Sequence, residues 1–198
     1  MRYELSLLAL TLVALTISGI GPFDRLTWWL EVAPVVLVIP ILWWTRKRFP
    51  LTRLLYTLIF AHALILLLGG HYTYARVPLG FWAQDLFDLS RNHYDRVGHL
   101  AQGFVPAMVA REILLRCTPL VTGKMLFFIV ACIALAISAF YEFIEWWAAV
   151  LLGGSAEEFL ALQGDIWDTQ WDMFMALSGA IAAQLLLSRW HDRQLVRL

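Results

Sequence analysis

The sequence predicts an all-α fold, a polytopic bundle of transmembrane helices built from one domain. Of the 198 residues, 61% are hydrophobic and only 15% are charged. The apolar residues fall in runs near the ~20 residues that a helix needs to cross about 30 Å of hydrocarbon. A helix also satisfies its own backbone groups, which lipid cannot do. Because the formal net charge is zero, nothing indicates a nucleic-acid partner.

Six apolar runs predict about six spans within a single domain covering 1–198. They lie at residues 5–20, 28–44, 51–70, 97–115, 125–151 and 171–190. The first run follows Arg2 in the way a secretory signal would. However, Glu4 weakens the basic region and no small-residue cleavage site follows, so we expect a retained helix.

Basic residues predict the orientation of these spans. If the N-terminus is cytoplasmic, eleven of the fifteen Lys and Arg residues lie inside and only Arg25, Arg76, Arg91 and Arg96 lie outside. The positive-inside rule therefore predicts that both termini are cytoplasmic. Most acids fall on the opposite, outer side, and this rule does not require that asymmetry.

Acids and one histidine are predicted to converge at the outer ends of the last three spans. Asp95 and His99 are four residues apart and share a helix face. Glu142 and Glu145 share a face of the fifth span, in the outer leaflet if that span starts near residue 125. Intramembrane carboxylates are expensive in lipid and usually functional. The entry to the sixth span adds further acids on one helical face: Asp165, Asp168 and Asp172.

This set of side chains predicts a cation site. Mixed carboxylate and imidazole ligands suit divalent ions such as Zn²⁺, Mn²⁺ or Fe²⁺, whereas all-oxygen sets suit Mg²⁺ or Ca²⁺. The expected ligands are His99, Glu142, Glu145, Asp168 and Asp172, and the expected catalytic residues are Asp95, His99, Glu142, Glu145 and Asp172. Asp165 also suits an N-cap, and Asp168 and Asp172 suit the positive end of the helix dipole, which leaves a structural role open.

The long outer loop before the fourth span is expected to bind substrate. Its polar residues could line a mouth or form a lid: His71, Tyr74, Arg76, Arg91, Asn92 and His93. Arginines match phosphate groups in a bidentate way, so Arg76 and Arg91 suit an anionic lipid headgroup. Phe81, Trp82, Leu86 and Phe87 predict a short helix lying in the membrane interface.

Four stretches resemble the YjdF-type predicted inner-membrane proteins of bacteria. They read HYTYARVPLGFW, RNHYDRVGHLAQGF, SAFYEFIEWW and GDIWDTQWDMFMALSGA, and the resemblance runs from about Leu51 to Leu187. It implies a helical fold in the inner membrane and carries over no reaction.

A weaker likeness, over the last three spans, is to VanZ-like membrane proteins. Those proteins show an Asp-basic-x-x-His element, then a Glu, then an Asp before a final helix rich in small residues. Asp95, Arg96 and His99 match the first element, Glu142 or Glu145 the second, and Asp168 or Asp172 the third. The sequence departs from that pattern in its ExxE and WDM elements.

Three functions remain open from the sequence. The first is a cation-dependent enzyme that acts on a lipid or lipid-linked envelope precursor by hydrolysis or group transfer. The second is a transporter or small-molecule binding protein coupled to a cation or protons, which should show polar residues continuing toward the inner face. The third is a structural charge network, which requires a protein partner for every charge. Membrane lipids are expected partners, and the oligomeric state stays open.

Overall fold

The computed structural model describes residues 2–152 and 163–197, and every regular element in these residues is helical. The α-helices are α1 Arg2–Ser18, α2 Arg25–Thr45, α3 Arg53–Tyr72, α4 Pro78–Phe87, α5 Tyr94–Cys117, α6 Lys124–Leu152 and α7 Asp168–Leu195. A 3₁₀ turn, Tyr74–Arg76, joins α3 to α4. The prediction of an all-helical fold is confirmed for the described residues.

Four of these helices, α2, α3, α6 and α7, are long and apolar enough to cross a membrane. Four of the six predicted spans are therefore confirmed as candidates. The other two correspond to α1, which has only 17 residues, and α5, which has 24 residues but carries charges along its length. Whether α1 and α5 also cross the membrane remains a prediction.

Helices α5, α6 and α7 pack around one another, and α5 and α7 approach most closely. Two glycines allow this approach. A Cβ atom on Gly103 of α5 would lie 1.7 Å from the carbonyl oxygen of Ala176, and one on Gly179 of α7 would lie 2.1 Å from that of Leu100. This contact between backbones places the first turns of α5 and α7 side by side.

Helices α1 and α2 pack on α3, which in turn packs on α5. Trp28, Val32 and Val35 of α2 form a core with Ala63 and Leu67 of α3. Since α2 packs mainly along α3, a cleft remains between α2 and the pair α5 and α6.

The first turn of α1 and the last turn of α7 lie at one end of the bundle. The hydroxyls of Tyr3 and Thr57 are 2.7 Å apart, and the Leu54 amide donates to Gln194 Oε1 at 3.0 Å. We call this end, marked by Arg53 and Arg116, the basic end. The opposite end holds the N-termini of α2, α5 and α7 and is called the acidic end.

The short helix predicted in this loop is present as α4, and its place in the membrane interface stays a prediction. Phe81, Trp82, Leu86 and Phe87 are 46%, 65%, 58% and 66% exposed, so all four offer apolar surface to the surroundings. Asn92 fixes the loop beneath it, because its amide group donates to the Val77 carbonyl at 3.0 Å.

Candidate functional site

His99 lies at the centre of the acidic end, surrounded by carboxylates from three helices. Its Nε2 atom is 3.6 Å from Asp95 Oδ1 and 3.9 Å from Asp172 Oδ2. Its Nδ1 atom is 3.9 Å from Glu142 Oε1 and 3.0 Å from the side-chain oxygen of Gln102. The convergence predicted for α5, α6 and α7 is thus present in the fold.

Two groups of three side chains around His99 have the spacing of metal ligands. Asp95, His99 and Asp172 form one group, and His99, Glu142 and Glu145 form the other; within each, the ligand atoms lie within 4.8 Å of one another. Ligand atoms around a tetrahedral ion with bonds near 2.1 Å are about 3.4 Å apart, so small side-chain shifts would close the first group. Asp168 falls in neither group.

Two carboxylate oxygens in this cluster are buried without a hydrogen-bond partner. They are Glu142 Oε1 and Asp172 Oδ1, and the residues are 8% and 2% exposed. A buried carboxylate without partners is strongly unfavourable unless a proton or a cation compensates it. These two atoms fit a site that takes up a cation.

Tyr74 lies inside the fold, at the wall of the site. Thr73, with φ 61° and ψ 142°, ends α3 and turns the chain inward. The Tyr74 ring then fills a slot between two glycines, because a Cβ on Gly69 or Gly98 would come within 2.4 or 2.6 Å of it. The residue is only 5% exposed, so it is placed in the wall and not in an open mouth.

Glu31 of α2 belongs to the same end of the molecule, and sequence reasoning missed it. It is 4% exposed and accepts a hydrogen bond from the Tyr141 hydroxyl at 3.3 Å. The Tyr141 ring in turn lies 6.2 Å from the His99 ring, measured between centroids. The signal that was available is a lone carboxylate inside an apolar span, which is expensive in lipid.

Arginines close the acidic end over the cluster. Arg91 Nη2 is 2.7 Å from Asp168 Oδ1, and Arg96 Nη2 is 2.7 Å from Asp165 Oδ2. The Gln163 side chain also bonds to both backbone groups of Asn92. These contacts tie the loop before α5 to the start of α7 and give Asp168 a partner outside the cluster.

The remaining predicted loop residues lie elsewhere. His71 Nδ1 is 2.9 Å from the Ser18 carbonyl oxygen, at the end of α1. The Arg76 guanidinium lies 4.3 Å from the centroid of the Phe23 ring. Burial, together with the nearby guanidinium groups of Arg96 and Arg91, lowers the pKa of His93, so this side chain is neutral near pH 7. None of these three residues belongs to either metal-ligand group among the described residues.

A cavity of about 640 Å³ fills the cleft between α2 and the pair α5 and α6. At the acidic end it is lined by Glu31, Tyr74, Asp95, His99, Gln102, Tyr141 and Glu145. Its middle is lined mainly by aliphatic side chains, including Val38, Leu66 and Val109, and it reaches Arg46 toward the basic end. The site therefore adjoins a long, mostly apolar space.

A second buried polar cluster, at the basic end, differs from the first. Glu112 accepts hydrogen bonds from the Thr52 backbone and hydroxyl, Arg116 and His191, at 2.8 to 3.3 Å. Arg111 lies 2.7 Å from the other ring nitrogen of His191 and 2.7 Å from Asp192. Because Glu112 has several hydrogen-bond partners, we interpret this cluster as a structural one that holds α3, α5 and α7 together.

The long apolar helices, together with a buried acid cluster, define a polytopic helical membrane protein. The chain belongs to the family described as predicted membrane protein DUF2238, whose family model matches residues 3–193. It is 57% identical, over 192 residues, to the inner membrane protein YjdF of Escherichia coli strain K12. The match covers 97% of this chain and 91% of that relative.

These matches identify an integral protein of the inner membrane and confirm the main resemblance. No solved structure matches the chain. Neither match supports the likeness to VanZ-like proteins, which stays a prediction.

Proposed function

We propose that this protein is a cation-dependent membrane enzyme that acts on a lipid or lipid-linked envelope substrate. One observation carries the proposal: His99 and acids from three helices converge beside an apolar cavity that Asp95, His99 and Glu145 line, and two buried oxygens of this cluster lack hydrogen-bond partners. A polar reaction centre beside an apolar channel suits an amphiphilic substrate. Hydrolysis or group transfer is the reaction class.

The two groups around His99 suit different roles. Asp95, His99 and Asp172 would hold a divalent ion, which supplies Lewis-acid chemistry when bound. Glu142, which faces the Nδ1 atom of the imidazole, and Glu145, which groups with Glu142 and His99, would accept or return a proton. Arg91, which pairs with Asp168 at the rim, would meet an anionic group of the substrate as it enters.

The proposal places the site in the outer leaflet. It assumes that α1 and α5 cross the membrane with the other four helices and that both termini are cytoplasmic. The excess of Lys and Arg at the basic end supports this orientation. Helix α5 is buried against α3, α6 and α7, so its charged side chains face protein and not lipid. This burial supports the proposal that α5 crosses the membrane.

A structural charge network explains the acidic end less well. Such a network should satisfy each buried charge, as the cluster around Glu112 does. Glu142 Oε1 and Asp172 Oδ1 have no hydrogen-bond partner. A set of side chains that binds a cation accounts for these two atoms more directly.

Transport coupled to a cation or protons is the second candidate. One observation favours it: His62 lines the cavity midway along α3, and its buried Nε2 atom has no hydrogen-bond partner. However, most side chains between Glu31 and Arg46 along the cavity are apolar. A cation path needs polar groups or water along its length, so the enzyme remains the preferred proposal.

The metal content of the purified protein tests the proposal. Protein extracted gently, without chelators, is analysed by elemental mass spectrometry beside His99→Ala, which removes the residue shared by both groups. Asp85→Asn, an exposed acid of α4, is the matched control. We expect one divalent ion per chain in the native protein and the control, and loss of the ion in His99→Ala. An equal metal content in His99→Ala would contradict the proposed site.

A further inference from the structure

We propose that the cavity holds one hydrocarbon chain of an amine-bearing lipid and that Glu31 binds the ammonium group of its headgroup. That this lipid is also the substrate rests on the proposed function. The binding site itself rests on the cavity and on Glu31.

The cavity has the length and lining that an acyl chain requires. Glu31 and Arg46 lie near its two ends and are fifteen residues apart on α2, which is about 22 Å along a helix. One leaflet of a bilayer offers about 15 Å of hydrocarbon, half of the whole core. Aliphatic side chains of α2, α3 and α5 line the middle, where a chain is more favourable than water.

The polar end of the cavity selects for a positive charge. Glu31, Asp95 and Glu145 all line it, and Arg46, near the other end, is the only Lys or Arg among its described lining residues. Glu31 is 96% buried on α2, and its hydrogen-bond partners are the neutral hydroxyls of Tyr141 and Tyr74. A carboxylate removed from water is compensated by a proton or by an opposite charge nearby, and an ammonium group provides that charge with three hydrogen-bond donors.

Tyr141 links this position to the candidate reaction centre. Its hydroxyl reaches Glu31, and its ring lies 6.2 Å from that of His99. An ammonium group at Glu31 therefore lies next to the group of Asp95, His99 and Asp172. A phosphate ester a few bonds away in the same headgroup would face the cation proposed there. An aminoalkyl phosphate headgroup would place its ammonium group at Glu31 and its phosphate at the proposed cation. A purely anionic headgroup would leave Glu31 without a positive partner.

Lipid titration of detergent-purified, delipidated protein tests the headgroup preference. Phosphatidylethanolamine and phosphatidylglycerol with identical chains are compared by native mass spectrometry. We expect the native protein and Asp85→Asn to bind the amine lipid about tenfold or more tightly, as a charge-assisted contact implies. Glu31→Gln should bind the two lipids equally. Equal binding by the native protein, or a preference that survives in Glu31→Gln, would overturn the inference.

A second pair of variants tests the position of the chain. Val38 lines the cavity, whereas Val36, on the same helix, is 39% exposed and does not line it. We expect Val38→Trp to weaken the binding of both lipids and Val36→Trp to leave it unchanged. Equal effects of both substitutions would show that the chain binds elsewhere.

Metal content, measured on the same samples, separates this inference from the proposed function. We expect Glu31→Gln to keep its metal, because Glu31 belongs to neither ligand group. Metal without an amine preference would overturn only the lipid inference. An amine preference in protein that neither retains metal nor is stabilised by added Mg²⁺, Mn²⁺ or Zn²⁺ would overturn the proposed enzyme and support Glu31 as a headgroup site.

Discussion

Buried carboxylates experience two different surroundings in this protein. Glu112 has hydrogen bonds from Thr52, Arg116 and His191, whereas Glu142 and Asp172 each retain an oxygen with no partner. Removing one member of a satisfied buried pair leaves the others uncompensated. Removing a buried charge with an oxygen that lacks a hydrogen bond should instead increase stability. Functional sites often contain such destabilising groups.

Isosteric substitutions should therefore change stability in opposite directions. We expect Glu112→Gln to lower the free energy of unfolding by about 3 kcal/mol, because it breaks a buried ion pair. In chelator-treated protein, Glu142→Gln and Asp172→Asn should raise it. Chemical unfolding in mild detergent measures both effects, with Asp85→Asn as the neutral control. A loss of stability in all three variants would indicate that both clusters are structural.

Spacing along the chain predicted part of the site, and packing determined the rest. Asp95 and His99 were predictable because the i and i+4 positions share a helix face. Glu31 gave one signal, a lone carboxylate in an apolar span, but its contact with Tyr141 arises only in the tertiary fold. Tyr74 was expected at a mouth, yet glycines at positions 69 and 98 create the slot that buries it.

Two glycines determine how closely α5 and α7 pack, and this distance sets the geometry around His99. We expect Gly103→Ala to destabilise the protein by about 1–3 kcal/mol, because the new Cβ meets backbone atoms of α7 that cannot move independently. Gly19→Ala is a milder comparison, since its Cβ would lie 3.1 Å from the Trp28 side chain. Thermal unfolding measures both variants, and equal losses would argue against the close helix contact.

The start of α2 depends on its N-cap. Asp24 accepts a hydrogen bond from the Thr27 amide at 2.7 Å, and this bond lowers the pKa of its carboxyl group. We expect Asp24→Ala to cost about 1 kcal/mol of stability at pH 7.

Because the folded pKa of Asp24 is depressed, its contribution is present above the ordinary value near 3.8 and is lost as the pH falls through the folded value. The loss on Asp24→Ala should therefore shrink in acid when unfolding is followed from pH 7 to pH 3. A difference that stays constant with pH would contradict the role of the carboxylate charge.

Helix positions were largely predictable from apolar runs, because a span must be long and uninterrupted. The predicted runs at 28–44 and 51–70 correspond to Arg25–Thr45 and Arg53–Tyr72. Hydropathy alone does not identify α5 as a span, because it carries several charged residues. Those residues pack against other helices, and such contacts are not visible in a stretch of sequence. The packing of α5 on α7 explains how a helix with this much charge is accommodated.

The whole molecule is expected to cross the membrane six times, with its basic end in the cytoplasm. Native Cys117 is exposed at the basic end, and Asp88 is exposed at the end of α4. In intact spheroplasts, a membrane-impermeant maleimide should label an Asp88→Cys variant that lacks both native cysteines. It should label Cys117 of a variant that lacks only Cys132 after permeabilisation and not before. Labelling of both positions in intact cells would contradict this topology.

We propose that Asp95, His99 and Asp172 hold a divalent cation. Thermal unfolding of chelator-treated protein, titrated separately with Mg²⁺, Mn²⁺ and Zn²⁺, detects even an ion that purification would lose. A ligand at 100 times its dissociation constant stabilises the folded state by about 2.7 kcal/mol. We expect at least one ion to raise the melting temperature of the native protein and of Glu145→Gln. No ion should raise the melting temperature of Asp172→Asn. The same response in Asp172→Asn as in the native protein, or no response to any ion, would contradict this proposal.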